Sequence, residues 1–265
     1  MELPIFQVDA FTDRVFSGNP AAVMPLPGWL DDTTLQAIAM ENNLSETAFL
    51  VQGDAGFELR WFTPTVEVEL CGHATLATGH VLFEHLGYAG EAIAFHTRSG
   101  ELRVHRAGTG LTLDFPESEL ATAEVDTAIC DALGGMASEA LTVGETAHSL
   151  LYVYEFEEDV AGLSPDFPAL CAASRQCVIA TAPGNDCDFV SRFFAPQFGI
   201  DEDPVTGSAH CSLVPYWAGR LQTPRLQARQ ISPRGGQLAC ELRNDRVFMT
   251  GSAVTFMRGT VLQVE

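Results

Sequence analysis

The sequence predicts an α/β (α+β) fold made of two similar halves, each with a sheet wrapped around one long helix. The string Arg-Trp-Phe-Thr-Pro at residues 60–64 returns as Arg-Phe-Phe-Ala-Pro at residues 192–196, an offset of 132 (192 minus 60). Gly-His-Ala at residues 72–74 returns as Gly-Ser-Ala at residues 207–209, an offset of 135 (207 minus 72). The same order and the nearly equal offsets favour a duplicated fold over chance recurrence of short strings.

In the first half, short apolar runs separated by turn residues are typical of strands. The strands are predicted at residues 5–11, 21–24, 45–51, 57–63, 66–70, 94–97, 101–105 and 111–115. A helix is predicted from Asp31 to about Asn43, because Asp is a preferred N-cap residue. The long helix of this half is predicted at residues 72–86, and Gly87 is a suitable C-terminal stop.

The second half repeats this alternation of strands and helices. Strands are predicted at residues 141–143, 148–156, 177–181, 188–194, 226–230, 236–243, 246–250 and 253–264, and helices at residues 127–133, 166–173 and 207–219. The acidic, Ala-rich segment at residues 116–126 is the candidate boundary. We therefore predict domains at residues 1–118 and 119–265, with the C-terminal strand available to complete the first domain.

Charge and residue usage exclude several classes of function. The net charge is −21, from 35 acidic and 14 basic residues, and such a field repels nucleic acids and anionic membranes. All 14 basic residues are Arg, so there is no Lys to form the internal Schiff base of pyridoxal-phosphate or lysine-type aldolase chemistry. A phosphate-binding loop with its Lys is excluded for the same reason.

The cysteines and the N-terminus indicate a reduced, cytoplasmic protein. Seven Cys, an odd number, do not form a disulfide framework typical of secreted proteins. The N-terminus has no basic segment or long apolar core and reads as a first strand, and no uncharged run approaches the length of a membrane span. No Cys-x-x-Cys occurs, and His73 and His80 lack the spacing of a helical zinc site. We therefore expect no bound metal.

Four polar residues lie where a site could form. Glu46 lies in an apolar strand, where alternation favours a solvent-facing side chain and burial would suit general acid–base catalysis. His73 opens the first long helix and could relay a proton, or it could be a cap or core residue. Asp203 and Ser208 flank the second helix start, where both residue types are ordinary caps. Helix starts also carry unpaired N–H groups and a positive dipole end, so we expect two of them to bind an anionic small molecule in a shared cleft.

A series of motifs resembles the successive signatures of the PhzF family, the phenazine-biosynthesis-like isomerases and epimerases. The motifs are Ser-Gly-Asn-Pro-Ala-Ala-Val at residues 17–23, Asn-Leu-Ser-Glu-Thr-Ala-Phe at 43–49, Arg-Trp-Phe-Thr-Pro at 60–64, Cys-Gly-His-Ala-Thr at 71–75 and Glu-Asp-Pro-Val-Thr-Gly-Ser-Ala at 202–209. Their order and spacing make the resemblance highly specific. Residues 230–236 align only loosely with the family, which leaves the substrate open.

The resemblance implies a diaminopimelate-epimerase-like fold of two similar domains, each a barrel-like, mostly antiparallel sheet around a central helix. It also implies a cofactor-free proton shuttle, in which a Glu takes a proton from an activated carbon and returns it elsewhere on a small carboxylate-bearing metabolite. Carried onto this sequence, the catalytic residues are Glu46, His73 and Asp203, and the substrate-binding residues are Asn19, Ser45, Gly72, Gly207 and Ser208. A homodimer is expected on the same basis.

Two other functions remain open. A member of the family could bind a metabolite without turning it over. A thiol-dependent racemase, like the related two-cysteine epimerases, could use Cys71. The second motif has no thiol before Cys211, which disfavours the racemase.

Overall fold

The computed structural model describes residues 2–108, 110–144 and 148–262. The chain forms two compact units, Met1–Phe115 with Phe248–Glu265, and Pro116–Val247. Within the described ranges, no helix combines the length and the hydropathy needed to cross a membrane.

Strands and helices alternate along the chain. The strands are β1 (Leu3–Ala10), β2 (Asn19–Leu26), β3 (Glu46–Gly53), β4 (Gly56–Phe62), β5 (Glu67–Val68), β6 (Ala92–Thr97), β7 (Gly100–Ala107), β8 (Gly110–Pro116), β9 (Leu120–Ala123), β10 (Glu139–Val143), β11 (Ser149–Val153), β12 (Cys177–Pro183), β13 (Phe189–Ala195), β14 (Ile200–Asp203), β15 (Arg225–Gln230), β16 (Gly236–Arg243), β17 (Arg246–Gly251) and β18 (Ala253–Val261). The helices are α1 (Asp32–Asn42), α2 (Gly72–Glu84), α3 (Thr127–Leu133), α4 (Glu157–Ala161), α5 (Phe167–Ala173) and α6 (Gly207–Leu221).

The first unit has a mostly antiparallel sheet. Its strands pair in the order β18, β1, β2, β3, β4, β6, β7 and β8, and β5 pairs with β4. The β2–β3 and β4–β6 pairs are parallel. The sequence analysis predicted that the C-terminal strand could complete the first domain. This strand, β18, pairs with β1 and belongs to the first unit.

The second unit repeats the same order of pairing. Its strands run β9, β10, β11, β12, β13, β15 and β16, and the short β14 pairs with β13. The parallel pairs, β11–β12 and β13–β15, fall at the same two places as in the first unit. The duplication that two short strings indicated therefore extends to the strand order.

Each unit has one long helix against its sheet. Helix α2 contacts β1, β2, β3, β7 and β18, strands from both ends of the pairing order, so the sheet curls around it. Eleven of its 13 residues are buried, as expected for a helix that is apolar on all sides. Gly79 permits this packing, because an added Cβ would lie 2.7 Å from Val104 Cγ1. In the second unit, helix α6 packs on β15 and β16.

Shorter helices cover other parts of the two sheets. In the first unit, Leu35 and Ala39 of α1 pack with Met24, Phe49 and Phe62 of the strands. In the second unit, residues of α3, α4 and α5 form a cluster with apolar side chains of β11, β12 and β13. Residues 178–182 of β12 are all buried, as expected for a strand that is covered on both faces.

Candidate active site

Glu46 is the first residue of β3 and lies beside Ala21 of β2 in the parallel pairing. Its side chain is only 13% exposed. The solvent-facing position that alternation favoured is therefore wrong. Residues 47–50 are all buried, because β3 is central in the sheet and packs against both α1 and α2. A strand covered on both faces gives no alternating signal.

Glu46 and His73 form a buried pair at the start of α2. Nε2 of His73 lies 3.1 Å from Oε2 of Glu46, and the His73 side chain is 5% exposed. Beyond this contact, neither atom has a hydrogen-bond partner within the described ranges. The separation is within the reach of direct proton transfer.

The other ring nitrogen of His73 faces two further side chains. Nδ1 lies 3.1 Å from Nδ2 of Asn19 and 3.6 Å from Sγ of Cys71. Gly18 places Asn19 here: its φ of +65° turns the chain into β2, and a Cβ at this position would clash with the Ala10 carbonyl. Side chains from β2, β3 and the α2 start thus converge on one imidazole.

Burial and charge set the protonation states of this cluster. Burial, with a further contribution from the Glu46 charge, raises the pKa of the Cys71 thiol to about 11, so the thiol is neutral at pH 7. Burial lowers the pKa of His73, but the charges and hydrogen bonds of Cys71 and Glu46 outweigh it and raise the pKa well above its usual range. Because Cys71 is neutral at pH 7, we attribute this increase to the Glu46 carboxylate. His73 is therefore a proton donor toward Glu46.

The cluster also has the residue types of a metal site. Glu46, Cys71 and His73 offer ligand atoms within 4.8 Å of one another, and mixed sulfur, nitrogen and oxygen donors suit zinc. However, His73 turns Nδ1 toward Cys71 and Nε2 toward Glu46. One ring nitrogen cannot serve both sides, so a metal would require the side chains to rearrange. The expected absence of a metal stays a prediction.

The second predicted group lies at the start of α6. Gly207 and Ser208 are the first two residues of this helix, and Asp203 ends β14 four residues earlier. Asp203 is buried, and its Oδ2 accepts a hydrogen bond from the Thr206 hydroxyl. Within the described chain, neither N-cap residue, Cys71 or Thr206, caps its helix through its side chain. Both helix starts therefore keep the backbone N–H groups that favour an anion.

The structure brings the predicted residues together within each unit. Asn19, Glu46 and His73 are in contact, Gly72 begins α2, and the half-buried Ser45 precedes Glu46. The catalytic and substrate-binding roles, and the shared cleft for the two helix starts, stay predictions. The sequence analysis did not identify Thr206 or Gln230 as site residues. The 135-residue offset offered a signal for Thr206, because it pairs this residue with Cys71 (206 minus 71).

The repeated Arg motif holds the short strand that precedes each long helix. Arg60 of β4 binds both carboxylate oxygens of Glu67 at 2.7 and 2.8 Å. Arg192 of β13 binds both oxygens of Glu202 at 2.8 and 2.9 Å. Each guanidinium also stacks on the Phe two residues later, at 5.1 and 4.9 Å. The repeat is thus an anchor that fixes the chain entering each helix start.

A family model described as phenazine biosynthesis-like protein, PhzC-PhzF, matches residues 8–259. The chain belongs to the PhzF family. A Pseudomonas aeruginosa protein named as an uncharacterized isomerase is 51% identical to this PhzF-family chain, over 98% of this chain and 99% of the relative. The crystal structure of a PhzF-family protein from Enterococcus faecalis has a TM-score of 0.94 and 46% identity, and the match covers 98% of this chain and 99% of that one.

The wider structural similarity concerns the fold. A hydroxyproline epimerase from Agrobacterium vitis has a TM-score of 0.64 at 12% identity, covering 98% of this chain and 92% of that one. The expected family and fold class are confirmed: the fold is mixed α/β with a mostly antiparallel sheet and is shared with the epimerases. As a member of this family, the chain is an enzyme of the isomerase class.

Proposed function

We propose that this PhzF-family enzyme moves a proton between two positions of a small carboxylate-bearing metabolite, without a cofactor, using Glu46 as general base and then general acid. The observation that carries the proposal is the Glu46–His73 pair. Its facing oxygen and nitrogen lie 3.1 Å apart, are buried, and have no other hydrogen-bond partner in the described part of the chain.

The reaction is balanced without an oxidant or reductant. The Glu46 carboxylate accepts a proton from an activated C–H bond, and the electron pair of that bond delocalises into the substrate. The resulting carboxylic acid returns the proton to another carbon. His73 donates to Glu46 and keeps the carboxylate oriented between the two steps.

The start of α2 supplies a place for the substrate's carboxylate. Its first-turn N–H groups and positive dipole end lie beside the acid–base pair, because Gly72 and His73 are the first two residues of the helix. The corresponding group at the start of α6, Asp203 with Ser208, is proposed to bind and assist. A substrate that is itself an anion matches both helix starts.

Solvent isotope exchange tests the proposal. The purified enzyme is incubated in deuterated water with small carboxylates that raise its melting temperature. We expect deuterium to enter the carbon-bound position of the true substrate. Glu46→Gln should lower this exchange by at least about 10²-fold, because the amide keeps the shape but cannot accept a proton. Its melting temperature and ligand binding should change little.

Glu41→Gln is the matched control, since it removes the same charge from an exposed position on α1. This variant should exchange like the wild type. Retention of more than about a tenth of the exchange in Glu46→Gln would exclude Glu46 as the shuttle. Tight binding of a carboxylate with no exchange in the wild type would favour the non-catalytic binder.

The thiol-dependent racemase is the second candidate, favoured by the position of Cys71. The thiol lies at the start of α2, 3.6 Å from His73. Two observations count against it. The corresponding position in the second unit is Thr206, and the raised pKa of about 11 keeps Cys71 protonated at neutral pH.

A further inference from the structure

The turn that leads into α6 is tied to the end of β15 by a buried glutamine. Gln230 is 1% exposed. Its Oε1 accepts from the Thr206 backbone N–H at 2.8 Å, and its Nε2 donates to the Asp203 carbonyl at 2.7 Å. The same Nε2 lies 3.1 Å from Oγ1 of Thr206. One side chain therefore spans the turn from Asp203 to the N-cap of α6.

The partners of Gln230 fix the direction of every hydrogen bond in this network. A backbone N–H can only donate and a backbone carbonyl can only accept, so the orientation of the amide is determined. Nε2 must then donate to the Thr206 hydroxyl. That hydroxyl in turn gives its own proton to Oδ2 of Asp203. The chain of donors ends on Asp203, whose Oδ2 is held as an acceptor, and a donor at this oxygen favours the ionised form of the carboxyl.

Among the residues that the structure describes, the first unit has a matching serine contact but not this network. Ser99 donates to the Glu69 carbonyl at 2.8 Å, and Ser232 donates to the Pro204 carbonyl at 2.8 Å, at offsets of 133 and 135. Thr97 ends β6 as Gln230 ends β15, but its hydroxyl donates to the Gly100 carbonyl. The serine contact therefore occurs at the turn before each long helix. The glutamine contacts occur at the turn that contains Asp203 and have no counterpart among the described residues of the first unit.

We propose that Gln230 is a positioning residue that acts through Thr206 to hold the Asp203 carboxylate ionised and in a fixed orientation. The inference deepens the proposed function and rests on it for the role of Asp203 in the reaction. Asp203 then contributes a fixed negative charge and an acceptor, and the proton that moves on the substrate stays with Glu46. Gln230, in the segment at residues 230–236 that resembles the family motifs only loosely, thereby acts on the site through this turn.

Titratable groups on β12, α6 and β14 lie near Asp203, so the test has to follow the carboxyl signal of Asp203 itself. On β12, burial and a smaller effect of the Asp203 charge raise the pKa of Cys177 to about 11, so this thiol is neutral below pH 9. On α6, burial lowers the pKa of His210 to about 4. On β14, Glu202 is paired with Arg192.

Carbon-13 NMR of the labelled Asp203 carboxyl tests the network without any substrate. Thr206→Val removes the hydroxyl and keeps the side-chain shape. We expect Asp203 in this variant to titrate about 1 pH unit higher than in the wild type, because a hydrogen bond to the charged form is lost. Thr206→Ser, which restores a hydroxyl, should reverse most of this shift. Gln230→Leu should shift the titration in the same direction as Thr206→Val.

Gln237→Leu is the control, since this exposed glutamine lies on the next strand, β16. It should leave the Asp203 titration unchanged. If Gln230→Leu does not fold, the Thr206 pair still decides the question. An Asp203 titration that is equal in the wild type and in Thr206→Val would overturn the inference.

Kinetics separate this inference from the proposed function. On a substrate that exchanges with the wild type, Thr206→Val should lower kcat at least about tenfold, and Thr206→Ser should recover most of the loss. If the wild type exchanges and Thr206→Val keeps full kcat, the positioning role is wrong and the proposed function stands. If no substrate exchanges but the titration shifts as expected, the proposed function fails and the assigned network stands.

Discussion

At the scale of the residue, the candidate site is organised around the imidazole of His73, which contacts three other side chains. His73 reaches Glu46 with Nε2, and Asn19 and Cys71 approach Nδ1. A lone buried carboxylate would be costly, because desolvation disfavours its charged form. Pairing with a protonated His73 offsets that cost and leaves one proton between the two groups. Such a pair can accept and return a proton without any further group.

Substitution and chemical modification of Cys71 distinguish an acid–base enzyme from a thiol-dependent racemase. We expect Cys71→Ser to lower turnover less than about tenfold, whereas loss of a general acid–base group normally costs about 10²–10⁴-fold. Iodoacetamide at pH 7.5 should inactivate the wild type slowly, because burial raises the pKa of the thiol to about 11 and the thiolate is the reactive form. Steady-state turnover of both proteins provides the measurement. A loss as large as that of Glu46→Gln would instead assign the proton transfer to the thiol.

At the scale of the element, the sequence predicted the long helices and the repeat but missed several short segments. Helix α3 was predicted with its observed bounds, because Asp126 caps its start and Gly134 ends it with a positive φ. Helix α4 and strands β9 and β14 were missed, since each has only four or five residues. So short a segment carries no periodicity to detect, and β14 forms because Glu202 pairs with Arg192.

The candidate site, like the short segments, could be predicted only in part from the sequence. Motif resemblance identified Glu46 and His73, but only the pairing of β3 with its neighbours buries Glu46. The role of Gln230 depends on hydrogen bonds to residues 24 and 27 positions earlier. No local pattern encodes contacts of that kind, because the fold and not the spacing brings the residues together.

Helix α6 carries a titratable group that should make stability sensitive to acid. His210 is fully buried, its Nδ1 bonds the Thr206 carbonyl at 2.8 Å, and its Nε2 has no hydrogen-bond partner in the described ranges. Burial lowers its pKa to about 4, whereas an unfolded His titrates near 6.5. The unfolded state therefore binds more protons between these values, and stability is lost as pH falls through this window.

We expect His210→Gln to reduce this acid sensitivity. The amide can still donate to the Thr206 carbonyl but does not titrate. The decrease in the free energy of unfolding between pH 7 and pH 4.5 should be smaller in the variant by about 2–3 kcal/mol. Urea unfolding of both proteins at the two pH values measures the difference. Equal decreases in the two proteins would show that His210 does not titrate as a buried neutral group.

At the scale of the whole molecule, net charge opposes any association. The net charge of the chain is −21, although 14 side chains are cationic. Two copies therefore repel each other, and salt screens this repulsion. The same field disfavours anionic surfaces and polyanions. The anionic substrate that we propose would therefore depend on local attraction, which we assign to the N–H groups at the two helix starts.

The expected homodimer can be tested against this repulsion. If a specific interface forms, apolar contacts must exceed the electrostatic cost, and salt should help by screening it. We therefore expect a mass near twice 28.6 kDa at about 0.5 M NaCl, and a larger monomer fraction at about 0.05 M, where the Debye length is longer. Light scattering at a series of micromolar concentrations measures both. A mass near 28.6 kDa at high salt and at every concentration would show that the chain acts as a monomer. A dimer fraction that instead fell with added salt would indicate an interface formed by opposite charges, in which the Arg side chains carry the cationic part.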